Sequence, residues 1–296
     1  MTSRRNLVLI VLLVWLVPAV LLGVIFGSDG RNDAFQPTEE FRLDDWIDLG
    51  LLSINKAVMY LLIACLLTAV SVLYIANKME QRPNRVQTAV ETLYTFMRDN
   101  LARGNMDEAM ARKWFPFCGT LFLFIWFSNL IGYIPLPTNT HEKVDVFGLE
   151  IPSFALYAAT ANISVPLVLT LMVWFAYHFE GIRVQGPVKY LKSWVPAGVT
   201  GPAVLPIFLI EVISHFVRII SLSVRLFANI LAGHLLILFM AGGLGVILGL
   251  SALGWITLPI AIAFFLFEVG LVATLQAFIF ATLTAIYLGG ATSEHH

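Results

Sequence analysis

Charge is scarce in this sequence. Of its 296 residues, 12% are Asp, Glu, Lys or Arg, whereas 58% are hydrophobic. A soluble globular domain carries about twice that share of charge, so this chain cannot cover its surface with polar side chains and its main solvent is lipid. The formal net charge of −1 argues against nucleic acid as a partner, because phosphate binding needs a strongly basic face.

Cysteine is nearly absent as well. Cys65 and Cys118 lie in apolar runs without C-x-x-C spacing, and each is interpreted as a small buried hydrophobe with no redox or metal role. The chain also lacks H-E-x-x-H and G-x-S-x-G motifs. An intramembrane hydrolase, which needs a metal cluster or a nucleophile–base pair, is therefore not favoured. We expect a protein without catalytic residues, metal or cofactor.

Long hydrophobic runs are abundant. Crossing about 30 Å of hydrocarbon takes roughly 20 residues of helix, since no backbone group can stay unpaired in lipid. Runs of that length are Leu7–Phe26, Lys56–Asn77, Phe115–Pro135, Ser153–His178, about Ala203–Leu248 and Trp255–Leu288. The sequence therefore predicts an all-α polytopic membrane protein with about six hydrophobic helices. Pro137–Pro152 and Gly181–Gly201 are predicted to be loops.

The first run has two interpretations. Arg4 and Arg5 before a hydrophobic stretch suit either a retained transmembrane helix over residues 1–27 or a signal peptide cleaved near Gly27–Ser28. A run of this length exceeds the usual hydrophobic region of a signal peptide, which favours the retained helix. Residues 28–296 are predicted to form a single membrane domain.

Basic residues set the predicted orientation. Twelve of the eighteen Lys and Arg residues fall before the first run, after the second and after the fourth. Because cytoplasmic loops carry the excess of Lys and Arg, both termini are predicted to be cytoplasmic. Apolar residues recur at helical spacing over about 84–102, with charged residues between them. This pattern predicts a helix lying in the cytoplasmic interface of the membrane.

A polar stripe interrupts the fifth run. Glu211, Arg218 and Arg225 are spaced by seven residues, which returns to within about 20° of the same helix face. Ser214, Ser221 and Asn229 fall within about 40° of Arg225 on that face, whereas His234 lies nearly opposite Arg225. Ionisable residues inside a span are costly and usually mark an ion or substrate path.

Each member of the stripe also has a structural interpretation. Ser and Asn in membrane helices often serve packing and interhelical hydrogen bonds, and a buried histidine can do the same. Glu211 and Arg218 could form a structural charge pair near the membrane border. Arg225 differs, because it keeps its charge and has no acid within a turn of its own helix. Its counter-charge must come from another helix or another protein.

The motifs around Arg225 carry a resemblance. The segment SLSVRLFANILAGH at Ser221–His234 and the segment LQAFIF at Leu275–Phe280 are similar to the hallmark segments of the a-subunit family of F-type ATP synthases. The spacing Pro83-x-x-x-Gln87-x-x-x-Glu91 and the stretch Asn129–Gly132 with Pro135 also resemble that family. The likeness runs from about Asp48 to the end of the chain.

The resemblance implies a mechanism and a set of partners. In this family the last two helices form a long tilted hairpin that packs against a rotating ring of c subunits. Two offset half-channels deliver protons to ring carboxylates, and the arginine matching Arg225 separates the half-channels. The implied partners are the c ring, b-type peripheral stalk subunits, the rest of the ATP synthase complex and the lipid bilayer. The implied location is the bacterial cytoplasmic membrane.

The resemblance also implies site residues. Asn229, His234 and Gln276 would belong near the outer half-channel, with Glu268 as its carboxylate, and Glu211, Ser214 and Arg218 would line or border the cytoplasmic exit. Glu268 and Gln276 are eight residues apart, whereas many relatives have seven. Eight residues turn one about 80° from the other unless a local bulge, such as one at Gly270, absorbs the difference.

Two further departures concern aspartates. Gly132 and Thr160 stand where some bacterial relatives carry aspartate, so any polar contribution from those spans must come from Asn129, Asn162 or water.

A free-standing ion channel or secondary transporter is the alternative function. Such proteins often show inverted repeats, and no corresponding halves are visible here.

Overall fold

A computed structural model describes most of the chain. It covers residues 41–43, 45–48, 53–77, 85–146, 149–196, 198–243 and 251–292, together with a few single positions before residue 22. Apart from those positions, the predicted N-terminal helix and its signal-peptide alternative lie outside the described residues. The final residues 293–296 lie outside them too.

Long helices dominate the described residues. They are α1 (Lys56–Asn77), α2 (Arg85–Phe96), α3 (Glu108–Ile131), α4 (Ser164–Gln185), α5 (Pro187–Lys192), α6 (Val204–Leu238), α7 (Ser251–Phe267) and α8 (Ala273–Thr292). Segments of π-helix follow three of them, at Met97–Arg103, Phe239–Gly243 and Glu268–Val272. Short 3-10 turns lie at Ala159–Ala161 and Gly201–Ala203. The chain is thus a polytopic helical protein, as predicted.

Five stretches of the described residues are long and apolar enough to cross a membrane: Lys56–Tyr74, Glu108–Ile131, Ser164–Gln185, Gly201–Ala241 and Thr257–Thr292. The last two have 41 and 36 residues. At 1.5 Å per residue they would extend over about 55–60 Å, nearly twice the thickness of the hydrocarbon. A helix longer than the hydrocarbon thickness can be accommodated by tilting. The long tilted hairpin stays a prediction.

Two β-hairpins occupy connecting segments. Strand β1 (Asp45–Asp48) pairs antiparallel with β2 (Ser53–Asn55), and β3 (Leu136–Val146) pairs antiparallel with β4 (Leu149–Ala155). The second hairpin replaces the loop predicted at Pro137–Pro152.

The predicted span Ser153–His178 was wrong at its start. Residues up to Ala155 belong to β4, and α4 begins at Ser164, where the Asn162 side chain accepts a hydrogen bond from the Ser164 backbone N–H at 3.0 Å. Hydropathy alone does not distinguish a buried extended segment from the first turns of a helix.

The described residues divide into two compact units. One comprises Met1–Lys56, Ile134–Tyr157 and Leu231–Val272, and the other Ala57–Tyr133, Ala158–Ile230 and Ala273–His296. In the first unit, α7 packs against the π-helical segment Phe239–Gly243. In the second, α8 packs against α3, α4 and the segment Met97–Arg103. The single membrane domain over residues 28–296 stays a prediction.

Small residues let α8 approach its neighbours closely. Ala273, Ala277, Ala281 and Ala285 recur every fourth residue and are fully buried. At Gly289, the next position of this stripe, an added Cβ would lie 2.3 Å from the backbone oxygen of Asn105. Without a hydrophobic driving force between helices in lipid, close van der Waals packing of small residues holds membrane helices together.

The helix predicted at about 84–102 is present as α2 and the π-helical segment that continues it to Arg103. Met97 and Leu101 are buried, whereas Arg98, Asp99 and Arg103 form an exposed ion-pair cluster. The hydrogen bond from Arg98, with the nearby charges of both arginines, holds the pKa of the Asp99 carboxyl below its usual value. The segment is therefore amphipathic, as an interfacial helix requires.

The two cysteines differ in burial. Cys118 is buried in α3, as predicted, but Cys65 is exposed on α1. That prediction was wrong for Cys65, because an apolar run in a membrane protein can turn its small residues toward lipid as well as toward the core.

We predict that Ala281→Leu destabilises the helix packing around α8 by about 1–3 kcal/mol, the usual cost of overfilling a packed core. The measurement is SDS-induced unfolding of the full chain in detergent. Ala263→Leu is the matched control, since Ala263 is exposed on α7. Equal stability of the Ala281 variant and the control would show that the alanine stripe does not set the packing distance.

Candidate functional site

Arg225 lies on an exposed face of α6. Ser221 and Asn229, one helical turn away on either side, are exposed with it, which agrees with the predicted stripe. Ile220 and Val224, at 62% and 43% exposed, flank the arginine with apolar surface. Leu222, Leu226 and Ile230 on the other side of the helix are buried. This part of α6 therefore presents a cation within an apolar surface.

Arg225 has no counter-charge within the part of the chain that the structure describes. The ion pairs found there involve other basic residues. A guanidinium keeps its charge at any physiological pH, and a charge held in a membrane span needs a partner or water. The exposed position leaves this face open to a carboxylate from outside the described residues.

Glu211 and Arg218 meet at the other end of the stripe. The Arg218 guanidinium donates a hydrogen bond to Glu211 Oε1 at 3.2 Å, two helical turns away along α6. On its other side the guanidinium lies 5.1 Å from the centre of the Tyr287 ring, a cation–π contact with α8. The charge pair considered for these two residues is therefore present, and both residues line a cavity.

That cavity has a volume of about 490 Å³ and belongs to the second unit. Aromatic and polar side chains form most of its wall, and they come from α4, from α5 and the turn that follows it, and from α6 and α8. Its lining residues include Tyr177, Tyr190, Trp194, Glu211, His215, Arg218 and Tyr287. A polar cavity of this size has room for several water molecules.

Two hydrogen-bonded pairs of an imidazole and a phenol stand at or behind this wall. The hydroxyl of Tyr177 lies 2.9 Å from Nδ1 of His215, and the hydroxyl of Tyr190 lies 2.6 Å from Nδ1 of His178. Burial raises the pKa of the Tyr190 phenol, so this side chain stays a neutral hydroxyl at physiological pH. Gly181 makes the Tyr190 position possible, because a Cβ there would lie 2.3 Å from the Tyr190 ring.

Sequence reasoning missed most of the residues in this cavity wall. Ser214, which was predicted beside Glu211, is half-exposed and is not among the residues that line the cavity. His215 lines it instead, and its position four residues after Glu211 is a helical spacing that could have revealed it. Tyr177 and Tyr190 carry no such signal, since they come from other helices.

Glu268 and His234 are buried in the first unit, at 9% and 4% exposed. The Glu268 carboxylate lies directly against the backbone at Gly233, where an added Cβ would come within 2.4 Å of Cδ and Oε2. The last turns of α6 and the end of α7 therefore hold this acid next to the residue that precedes His234. No pattern in the sequence singles out Gly233 for this role.

The bulge required by the unusual Glu268 to Gln276 spacing is present. A π-helical turn occupies Glu268–Val272 and contains Gly270. A π turn takes up one extra residue, so eight residues that include it cover about the rotation of seven in a regular helix. Gln276 follows in α8 and is buried in the second unit, at 7% exposed.

Asn129 and Gly132 have structural roles in the second unit. The Asn129 amide donates to the backbone oxygen of Ala273 at 3.2 Å and accepts from the Thr160 hydroxyl at 2.7 Å. It therefore ties α3 to α8 and to the turn before α4. At Gly132 an added Cβ would lie 2.4 Å from the Cβ of Ala158, so an aspartate side chain has no room here.

A buried ion pair joins α3 to α4. The Lys113 ammonium donates a hydrogen bond to the Glu180 carboxylate, whose side chain is 2% exposed. Arg183 lies 4.0 Å from the second carboxylate oxygen. Sequence reasoning used Lys113 and Arg183 for orientation alone, and missed that together they neutralise a buried acid.

We predict that Gly233→Ala destabilises the chain by about 1–3 kcal/mol, because the new methyl group must displace the Glu268 carboxylate. In a Glu268→Ala background the same change should cost little, which gives a coupling energy of about 0.5–3 kcal/mol. SDS-induced unfolding of the four chains measures that coupling.

Gly270→Ala is the control for this cycle, since no atom of the described residues lies within 4 Å of its Cβ position. It should be neutral or stabilise the helix by up to about 1 kcal/mol. Additive effects of Gly233→Ala and Glu268→Ala would contradict the contact between this glycine and the carboxylate.

Comparison with known proteins gives a consistent result. The sequence profile of the family described as ATP synthase A chain matches residues 58–289. The chain is 37% identical over 239 residues to the ATP synthase subunit a of Rubrobacter xylanophilus, covering 80% of this chain and 83% of that protein. It is 39% identical over 237 residues to the ATP synthase subunit a of Helicobacter pylori, covering 78% and 89%.

Proposed function

Because the chain belongs to the ATP synthase A chain family, we propose that it is the proton-translocating stator subunit of an F-type ATP synthase. It provides two offset half-channels to a rotating c ring and couples the proton gradient to ATP synthesis. The observation that carries this proposal is the Arg225 cation on an exposed apolar face of α6, where no acid among the described residues pairs with it. Family membership favours this function over a free-standing ion channel or secondary transporter.

Arg225 separates the two half-channels in this proposal. A carboxylate that has crossed the lipid is neutral, because burial disfavours the charged form, and a cation within a few ångströms restores the anion. An arginine is suited to this task because it does not lose its own proton. Each proton carries about 2.3 kcal/mol per 100 mV of membrane potential, so a barrier against direct leakage preserves the gradient.

The cavity beside Glu211 and Arg218 is proposed as the cytoplasmic half-channel. Glu211 lines this cavity, and its carboxylate accepts a hydrogen bond from the Arg218 guanidinium at 3.2 Å. From Glu211 to Arg225 the helix rises about 21 Å, which supports a position of the arginine deeper in the membrane than Glu211. Ser214 does not line the cavity, and its proposed place at this exit rests on the family resemblance.

The outer half-channel is proposed to use Glu268 and His234, with Asn229 and Gln276. A buried carboxylate and a buried imidazole can both bind and release protons. Burial of both side chains in the first unit supports this assignment, and so does the π turn that compensates for the eight-residue spacing.

The proposed partners are the c ring, which faces Arg225, and b-type stalk subunits that hold the stator. The chain itself performs no catalysis, and ATP is made elsewhere in the complex. We place it in the bacterial cytoplasmic membrane with both termini in the cytoplasm, because the basic residues before the first predicted span and around α2 and α5 follow the positive-inside pattern.

Arg225→Ala should abolish proton-driven ATP synthesis while leaving assembly of the complex intact, since the side chain is exposed and takes part in none of the ion pairs among the described residues. The measurement is ATP synthesis by membrane vesicles energised with a pH gradient. Ser221→Ala, one turn away on the same exposed face, is the control and should retain most of the activity. Near-normal coupled synthesis in the Arg225 variant would refute the proposal.

Glu268→Gln should slow proton uptake from the outer side by at least about tenfold, at the low end of what a positioned proton-transfer group contributes. Glutamine preserves the shape against Gly233 and removes the titrating oxygen. The test is the rate of ATP-driven proton pumping, followed by quenching of a pH-sensitive dye. An unchanged rate would remove Glu268 from the proton path.

A further inference from the structure

His215 is an ionisable side chain that the proposed path does not use. It lies on α6 one turn after Glu211, is 6% exposed, and lines the cavity of about 490 Å³. A buried polar side chain at the wall of a polar cavity has two possible tasks. It either fixes the packing of the wall or exchanges protons with what fills the cavity.

The two ring nitrogens of His215 face different groups. Nδ1 lies 2.9 Å from the Tyr177 hydroxyl, and Nε2 lies 3.7 Å from Oε1 of Glu211. When Nδ1 carries the hydrogen and donates it to the Tyr177 oxygen, the lone pair of Nε2 faces the carboxylate. The 3.7 Å separation between Nε2 and Oε1 is longer than a hydrogen bond. A small rotation of either side chain would bring the two atoms into hydrogen-bond distance, and a bridging water would also connect them.

The surroundings hold the imidazole in this orientation. The ring of Trp194 lies 4.5 Å from the His215 ring, between centres. The titratable and charged groups around His215 come from four elements: Glu211 and Arg218 on α6, Tyr177 and His178 on α4, Tyr190 on α5 and Tyr287 on α8. Among these groups, Glu211 is the acid that Nε2 approaches.

We propose that His215 is a proton-transfer residue between Glu211 and the water of the cavity, and that Tyr177 is its positioning residue. This inference rests on the proposed function and adds residues to it. A proton that reaches Glu211 leaves when its O–H bond breaks and an Nε2–H bond forms, which yields a carboxylate and an imidazolium. The Nε2–H bond then breaks toward water, which becomes hydronium, and the neutral imidazole is restored without any change of oxidation state.

His215→Ala in the assembled complex tests this step. The variant removes the relay, so proton-driven ATP synthesis in membrane vesicles should fall by at least about tenfold. Imidazole added to the medium should restore a substantial part of the rate, because the cavity and the space left by the side chain can admit it. A side chain with a packing role alone would not respond to an added base.

His178→Gln is the matched control. His178 is also an imidazole hydrogen-bonded to a tyrosine, its ring lies 4.8 Å from that of His215, and it does not line the cavity. This variant should keep its rate within about twofold and should show no response to imidazole. Tyr177→Phe should slow synthesis by less than His215→Ala does, because the imidazole remains and loses only its hydrogen bond to the Tyr177 hydroxyl.

Three outcomes would overturn the inference: an unchanged rate in His215→Ala, a loss without rescue by imidazole, or an equal loss in His178→Gln. If His215→Ala prevents assembly, His215→Gln replaces it in the rate comparison with His178→Gln, and wild-type rates in His215→Gln would refute the relay. Arg225→Ala, measured in parallel, separates a failure of the proposed function from a failure of the His215 relay. Active synthesis in that variant would contradict the proposed function, whereas its loss together with normal synthesis in His215→Ala would contradict the relay alone.

Discussion

The central constraint of this structure is a permanent cation, Arg225, held on an apolar face of a membrane-spanning helix. No acid within the described residues neutralises it, although ion pairs are made by Arg218 with Glu211 and by Lys113 with Glu180. A charge in that position is costly unless a partner or water compensates it. The cost is met if another polypeptide brings carboxylates past this face. The proposed function rests on the energy of this one side chain, which no acid among the described residues neutralises.

Much of the fold could be predicted from hydropathy, because lipid forces each span into a helix of a minimum length. Helix α1 begins and ends where its apolar run does, and α6 falls within the longest run. The α7–α8 pair covers the last run and extends about four residues beyond each of its ends. The hairpin of β3 and β4 could not be predicted this way, since an apolar run near a membrane border is compatible with extended structure. The close helix contacts at Gly132, Gly289 and the alanine stripe of α8 also need three-dimensional information, because small residues reveal nothing about which neighbour they meet.

The site was predictable where it lies along one helix and not where it is assembled from several. The seven-residue spacing of Glu211, Arg218 and Arg225 placed all three on one face, and the eight-residue spacing before Gln276 required a bulge that the π turn provides. The partners of these residues were not predictable. Three tyrosines on other helices line the cavity: Tyr177, Tyr190 and Tyr287. Gly233 is needed because the Glu268 carboxylate packs against its backbone. Contacts between segments that are distant in the chain cannot be inferred from a single sequence.

The distance between the Arg225 guanidinium and the nearest carboxylate of another chain tests the account most directly. A structure of the assembled complex in a lipid membrane gives this distance. The account predicts a ring carboxylate within about 6 Å of the guanidinium in at least one rotary state, the range over which a nearby charge sets ionisation. An arginine that instead points at phospholipid headgroups in every state, or that pairs with an acid of its own chain, would contradict it.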